Sequence, residues 1–499
     1  MARMTSEPAR RVRGPVHDLV PGLPARLHLL GAGGAGLSGA ARLLLARGHR
    51  PSGHDRAESR FVAALRAAGV DVDVGPSSAA RLPDDVAAVV RSAAVAADDP
   101  LVVEAQRRGL PVHKYGRVLG ALCPPGLTLG VAGTHGKTTT AWMLHHALCG
   151  VAEVAGRTAP APGALVGGVH RRLKTNAVPP EPGGWFAVEA CEYDRTFLQL
   201  APQGALVTNV EADHLDYYGS LAAVEEAFAR FAGRVPSGGL VVLGADVPAC
   251  VEAAASARVW RLGRELKVQL LGEERGHFLF RLRGPGWATP TIALAVPGAF
   301  NVGNAALACA LAIGLVAETW RLEIADAAAA VARAVSRFPG AERRFESWGA
   351  AGGVEVVHDY AHHPTEVRAV LETARRVFPG QPLHVLFQPH QHSRTARFLA
   401  EFVEALRGAD RVVVADVYGA RAQIDDVSAG APELARRLQR AHVEAAAPGD
   451  APRAVRELAA GLFGEGVALV LGAGDIDGIR DDLIGELALR RAAPRGSVL

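Results

Sequence analysis

The chain has 499 residues, 49% of them hydrophobic, with 54 basic against 51 acidic side chains and a formal net charge of +3. That length suits about three domains, and the near balance of charge argues against a nucleic-acid or other polyanionic partner. No stretch is read as approaching the apolar length of a membrane span, and five scattered cysteines without a C-x-x-C pair fit free thiols in a reducing cytoplasm, not a disulfide framework.

In chain order, the Arg-rich start lacks the apolar core of a signal peptide and reads, over residues 1–22, as a disordered tail. A short strand, Arg26–Leu30, then runs into Gly31-Ala32-Gly33-Gly34-Ala35-Gly36 and a helix expected over Leu37–Arg47, with Asp55 after a second strand region. G-x-G-x-x-G between strand and helix suggests a dinucleotide-type fold holding a pyrophosphate at a helix N-terminus, with Asp55 near a ribose. Close packing of helix on strand demands the same glycines, so the motif alone leaves both readings open. The break Cys123-Pro124-Pro125-Gly126 closes a first domain, 1–126.

The apolar run Leu127–Val131 leads into Gly133-Thr134-His135-Gly136-Lys137-Thr138-Thr139-Thr140, followed by a helical pattern through Leu148. This is a compact P-loop: glycines let backbone N–H groups approach anionic oxygens, Lys137 can sit on the β- and γ-phosphates, and the Thr138 hydroxyl can ligate Mg²⁺. The chain has only four lysines (114, 137, 174 and 267), so a lysine here points to a required compact ammonium. Further on, the strand Phe186–Val188 runs into Glu189, Glu192 and Asp194, and Ala205–Val207 runs into Asn209, Glu211, Asp213, His214 and Asp216. Strand C-terminal ends are where α/β sheets place ligands, so a carboxylate and an imidazole can meet Mg²⁺ beside the P-loop threonine. An alanine-rich helix, Asp326–Val335, and Phe338-Pro339-Gly340 end a central domain, 127–338.

The last domain, 339–499, repeats the pattern of polar clusters after strands: His358 to Pro364 after Val354–Val357, and Phe387 to Thr395 after Leu383–Leu386, leading into a helix Ala396–Leu406. The histidine density raises zinc, but zinc spacings and nearby cysteines are missing, so a polar substrate pocket is the better reading. The whole is expected to be α/β: a Rossmann-like N-terminal domain, a central P-loop ATPase-type domain and a Rossmann-like C-terminal domain.

The runs Gly31–Gly39, Gly133–Thr140, Glu189–Asp194, Thr208–Asp216, Pro297-Gly298 with Asn301 and Asn304, Arg343–Phe345, Asp359–Glu366 and Phe387–His390 together closely resemble the Mur ligases of peptidoglycan synthesis. The resemblance is strongest to the members that add L-alanine to UDP-N-acetylmuramate; a murein tripeptide ligase on the same scaffold is the alternative. It implies an ATP- and Mg²⁺-dependent amide ligation through an acyl phosphate, and a monomer or weak homodimer working on small molecules, with no nucleic acid or membrane involved. By resemblance the sugar nucleotide meets Gly31, Gly33, Gly34, Gly36, Asp55 and Ser92. ATP meets Gly133, Thr134, His135, Gly136, Lys137, Thr138, Thr139, Asn301, Asn304, Arg344 and Asp359. Magnesium meets Thr138, Glu189 and His214. The amino acid meets Tyr360, His363, His390 and Arg394, and Lys137, His214 and Arg394 carry the chemistry. The base for the amine stays open. The chain departs from the family's usual Asp at Cys191, Ser at Tyr193, His at Phe300 and frequent Arg at Gln391, and the usual Pro-containing run after Tyr418 is missing. A nicotinamide-dependent dehydrogenase would explain the first glycine loop but not the P-loop, and a switch or transporter ATPase the reverse.

Overall fold

The computed structural model describes residues 19–156, 159–419, 430–462 and 464–492. Residues 1–18 of the expected tail, and 420–429 after Tyr418, lie outside the described residues. Of the described residues, those up to 124 with 177–179 form one compact unit, and those from 125 to 176 and from 180 onward a second.

The first unit is a five-stranded parallel sheet. Its first strand, Arg26–Leu30, lies at the centre between Arg50–Asp55 and Ala88–Arg91, with Asp71–Val74 and Val112–Lys114 at the edges. The strand order reverses at that first strand, which puts the loop after it at a switch point. The helix after that loop spans Ala35–Ala46 and is buried along Leu37–Ala41, Leu43 and Leu44. The next two helices start on capping side chains: Ser59 accepts from the Val62 amide, and Asp99, followed by Pro100, accepts from Leu101.

In the second unit, the P-loop strand Thr128–Ala132 lies between Gly204–Val207 and Phe186–Glu189; Leu240–Leu243 and Arg258–Arg261 extend one side and Gly163–Leu165 the other, all parallel. All but the edge strand Arg258–Arg261 are buried on both faces, which is why they read as apolar runs. The P-loop helix spans Lys137–Ala155 and packs against Ile324–Ser336 and Phe300–Leu311. The expectation that no stretch has membrane-spanning length needs correction. Phe300–Ala317 is long and apolar enough, but 89% of it is buried. It is apolar because neighbouring helices and the sheet cover nearly all of it beyond the exposed Phe300.

A four-stranded antiparallel sheet, built on Lys267–Glu274 and His277–Gly284, interrupts the parallel pattern. Phe278, Phe280 and Leu282 point into it and alternate with exposed residues. The last domain is a six-stranded sheet in the order Glu346–Ala351, Val354–Asp359, Gly466–Leu471, Leu383–Phe387, Arg411–Ala415 and Glu444–Gly449, parallel except for the first strand.

The passage into this domain is anchored on imidazoles. His170 pairs in a bridge with Ala341, and its ring stacks on His146 with Nε2 atoms 2.9 Å apart. His146 Nδ1 reaches the Ala334 carbonyl, so it donates, while His170 Nδ1 accepts from the Arg172 and Leu173 amides. The shared proton therefore sits on His170 Nε2 and points at His146. From the same loop, Arg171 donates to the carbonyls of Arg344 and Phe345 at 2.7 and 2.8 Å.

Candidate active site between the P-loop and the last domain

The P-loop turns through two glycines that nothing larger can replace. Gly133 (φ +139) would drive a Cβ into the Thr208 hydroxyl, and Gly136 (φ +81) would bring one to 2.8 Å from Asn304 Oδ1. The loop is stitched to the neighbouring strand end. Thr134 N donates to the Asn209 carbonyl, the Thr134 hydroxyl accepts from Glu211 N at 2.8 Å, and His135 N donates to Asn209 Oδ1 at 2.8 Å. The amides of Lys137, Thr138 and Thr139 begin the helix and have no intrahelical acceptor, the arrangement that favours an anion at a helix N-terminus.

Lys137 Nζ donates to the carbonyls of Gly133 (2.6 Å) and Thr134 (2.9 Å) and to the Glu192 carboxylate (3.0 Å). Burial alone would lower its pKa; Glu192, with Cys191 and Glu189 behind it, outweighs burial and holds the ammonium above its ordinary range. Glu192 Oε2 is buried with no hydrogen bond of its own. Thr138 Oγ1 donates to Glu189 Oε2 at 3.0 Å, and Gly167 N donates to the same oxygen. His214 sits apart from that pair, its Nε2 3.8 Å from Glu192 and 3.7 Å from Asp213. Burial lowers the His214 pKa against the pull of both carboxylates, which favours a neutral ring with a lone pair to offer.

A cleft beside the loop is lined by His135, Gly136, Thr139, Asn301 and Asn304 from the central domain, and by Arg344 and Asp359 from the last. Seven of the residues expected at the nucleotide therefore share one wall. Asn301 donates to the Pro297 carbonyl and Asn304 to Asn301 Oδ1, so both amides brace the helix start. Phe300, 42% exposed, lines the cleft. Asp359 accepts from the Phe345 and Ala361 amides; burial raises its pKa to about 6 despite Arg344.

Charge partners across this joint were not singled out in the sequence. His135 lies between Glu211 (3.5 Å) and Glu366 (3.3 Å). Burial would depress its pKa, but the two carboxylates outweigh burial and lift it to about 9. Its hydrogen bond pulls Glu211 down to about 2, and Glu366 lies well below its ordinary value despite burial. Thr365 Oγ1 donates to Glu211 at 2.8 Å. Potential ligand atoms of His135, Glu211 and His363 lie within 4.8 Å of one another, but a protonated His135 already supplies the cation there. The signal for Glu366 was local: it sits three residues after the helix-capping His363, the position of a capping-box carboxylate, and accepts from the amide of His362 just before the cap.

A second cavity is lined by Asp213, His214, Asp216, Gln391, Arg394 and Arg397, among others. Arg394 donates to Asp213 at 2.8 Å, and its other nitrogen lies 3.3 Å from His390. Of the expected amino-acid set, Arg394 and His390 come together here. His363 instead packs its ring 4.7 Å from His135, and Tyr360 lies under the guanidinium groups of Arg343 and Arg344 at 4.6 and 5.1 Å.

In the first unit, every glycine of the loop meets packing. A Cβ would fall 2.7 Å from Ser92 Oγ at Gly31, 2.9 Å from Asp55 Oδ2 at Gly33, and 2.9 Å from the Tyr115 ring at Gly36. Gly34 caps the helix, 3.3 Å from the Gly31 carbonyl by the same measure. Asp55 accepts from the Gly33 amide at 2.8 Å.

Family models match in three consecutive blocks: Mur ligase family, catalytic domain, at residues 26–124; Mur ligase middle domain at 131–312; and Mur ligase, glutamate ligase domain, at 343–474. The chain belongs to the Mur ligase family. This Mur ligase is 40% identical over 488 residues to the UDP-N-acetylmuramate--L-alanine ligase of Saccharopolyspora erythraea, covering 94% of each chain. It is 40% identical over 499 residues to that of Kineococcus radiotolerans, covering 96% of this chain and all of the other. Among solved structures it resembles the UDP-N-acetylmuramate-alanine ligase of Thermotoga maritima, with a TM-score of 0.75 and 26% identity over 93% of this chain and 99% of that one. A murein peptide ligase from Psychrobacter arcticus shares the fold, with a TM-score of 0.70 and 21% identity over 95% and 100%.

Proposed function

We propose that this Mur ligase joins L-alanine to the lactyl carboxylate of UDP-N-acetylmuramate with hydrolysis of ATP to ADP and phosphate, in the cytoplasm. The observation that carries this reading is 40% identity, over almost the full length, to ligases named for that reaction. The geometry supports it chemically. The lactyl carboxylate attacks the γ-phosphorus, ADP leaves, and an acyl phosphate remains; the amine of alanine then attacks the acyl carbon and phosphate departs. Both partners of the first step are anions, so catalysis depends on charge placed in advance. Lys137 and the amides of Lys137, Thr138 and Thr139 supply it on the phosphate side. Exchanging the Glu192 partner of Lys137 for a phosphate keeps the buried ammonium paired.

Mg²⁺ fits the residues present. Thr138 and Glu189 converge as hard oxygen donors, and the Glu192 carboxylate, paired with the Lys137 ammonium at 3.0 Å, lies 3.8 Å from His214. Thr138, Glu189 and His214 would hold the ion, which would supply positive charge against the charge developing on the transferring phosphate. Phe300 offers a flat apolar surface for the adenine. The first domain receives the sugar nucleotide at its switch-point loop.

The test is phosphate release from ATP with UDP-N-acetylmuramate, run across single amino acids and an L-alanine-containing tripeptide. Turnover with L-alanine is expected. Turnover with the tripeptide alone would replace this reading by peptide ligation on the same scaffold.

A further inference from the structure

We infer that Arg171, which does not itself line the nucleotide cleft, is a positioning residue for the nucleotide: it holds the backbone turn that aims Arg344 at the cleft. The inference rests on the reading of Arg344 as a nucleotide contact. Arg171 follows the strand Gly163–Leu165, on a loop whose backbone runs antiparallel to the passage into the last domain. Its amide donates to the Gly340 carbonyl, and the Glu342 amide donates back to the Val169 carbonyl. Its guanidinium turns every nitrogen to the same passage. Nε donates to the Ala341 carbonyl at 3.1 Å, Nη1 to that of Pro339 at 3.4 Å, and Nη2 to those of Arg344 and Phe345 at 2.7 and 2.8 Å. The passage is shaped round this fork: at Gly340 (φ +97) a Cβ would lie 3.1 Å from the guanidinium carbon.

Arg344 needs such a brace. The residues on either side of it, Arg343 (φ +61) and Phe345 (φ +43), both hold left-handed backbone, and neither is glycine or asparagine. Residues with large side chains keep that conformation only where their surroundings enforce it. In this turn Arg344 lines the cleft 3.8 Å from Glu366, and the Phe345 amide donates to Asp359, another cleft residue, at 2.7 Å. Arg171 holds the carbonyls of both Arg344 and Phe345. A turn released to right-handed or extended backbone would send the Arg344 side chain in another direction, away from the wall it shares with Asp359. Lysine cannot replace Arg171, because an ammonium donates from a single point and the four carbonyls are set round a planar fork.

The experiment is steady-state kinetics of Arg171→Ala, Arg171→Lys, Arg344→Gln and the double variant Arg171→Ala with Arg344→Gln. The KM for ATP should rise about tenfold or more in Arg171→Ala, with the KM values for the amino acid and the sugar nucleotide held within about twofold. Arg171→Lys should fall between Arg171→Ala and wild type. Arg344→Gln should raise the KM for ATP at least as far. Adding Arg171→Ala to it should then change that KM by less than about twofold, because the group being positioned is already gone. A merely structural role would multiply the two single effects and would not separate the three KM values. Multiplied effects in the double variant, or an unchanged KM for ATP in Arg171→Ala, overturn the inference. If Arg171→Ala does not fold, the same cycle with Arg171→Lys decides by the same outcomes. A wild-type KM for ATP in Arg344→Gln is a different failure: it removes Arg344 from the nucleotide site, and the inference falls with that reading.

Discussion

Two glycine loops, each between a strand and a helix, divide the labour of this chain differently. At Gly31–Gly36 each side chain that crowds a glycine is one the fold itself places there: Ser92, Asp55 with Ser59, and Tyr115. The one carboxylate, Asp55, is engaged by a backbone amide of the loop. At Gly133–Lys137 the loop is braced by its neighbour Thr208–Glu211, but it ends in an ammonium, a hydroxyl and a set of carboxylates. Glycines report that backbone must come close to something. Only the charged partners say that the something is a reacting phosphate.

Removing the ammonium should give the largest effect. Lys137→Ala is expected to lower ligation by about 10³-fold or more, since it takes away a charge aimed at the transferring phosphoryl group, while sugar-nucleotide binding by calorimetry stays intact. A variant keeping more than about a tenth of wild-type activity would erase the distinction between the loops. At the other loop, Gly33→Ala should act on the fold. A Cβ there meets Ser59, Asp55 and Val62 within 2.9 Å, so overpacking should cost about 1–3 kcal/mol. The sign to look for is a lower melting temperature without ligand; loss of sugar-nucleotide binding at unchanged melting temperature would make this loop a pure ligand cradle.

The joint between the central and last domains gives a smaller, pH-dependent effect. His135 is raised to about 9 in the folded protein, so its contribution is fully present below its ordinary value of 6.5 and is lost as pH rises through about 9. His135→Gln should flatten the alkaline limb of the stability profile, measured by thermal denaturation from pH 6 to 10. An alkaline limb identical to wild type would remove His135 as its cause. The smallest expected effect is none. The chain has no lysine between Lys174 and Lys267, and arginine cannot carry a carbamate. Activity should not respond to removal of dissolved CO₂ and bicarbonate, and a bicarbonate-reversible loss would falsify this.

What the sequence revealed was local. The P-loop was legible because glycines, lysine and threonine sit at fixed spacing between a strand and a helix, and the helix does begin at Lys137. The parallel sheets were legible as buried apolar runs. The antiparallel sheet was missed although Phe278, Phe280 and Leu282 alternate openly, because the surrounding α/β rhythm masked a period of two. The helix expected over Ala396–Leu406 is divided at Phe398, whose ring packs 4.9 Å from His363, a contact no local pattern encodes. The charge pairs were least legible. Arg394 and Asp213 are 181 residues apart, and only folding shows that the arginine's charge is already answered.

The imidazole pair at the entrance to the last domain carries a consequence for acid. His170 can take a second proton only by surrendering the lone pair that holds the Arg172 and Leu173 amides, and His146 only by surrendering the one that receives the His170 proton. Burial accordingly lowers His170 to about 3 and His146 to about 4. In the unfolded chain both take protons near 6.5, so stability falls as pH drops below that value and keeps falling to about 3. The loop that protonation would loosen is the one from which Arg171 grips Arg344 and Phe345. Mild acid should therefore act first as a hinge release. It would free the arginine that faces the nucleotide cleft before it unfolds either sheet, and hydrogen exchange at residues 170–174 should rise ahead of the strands on both sides.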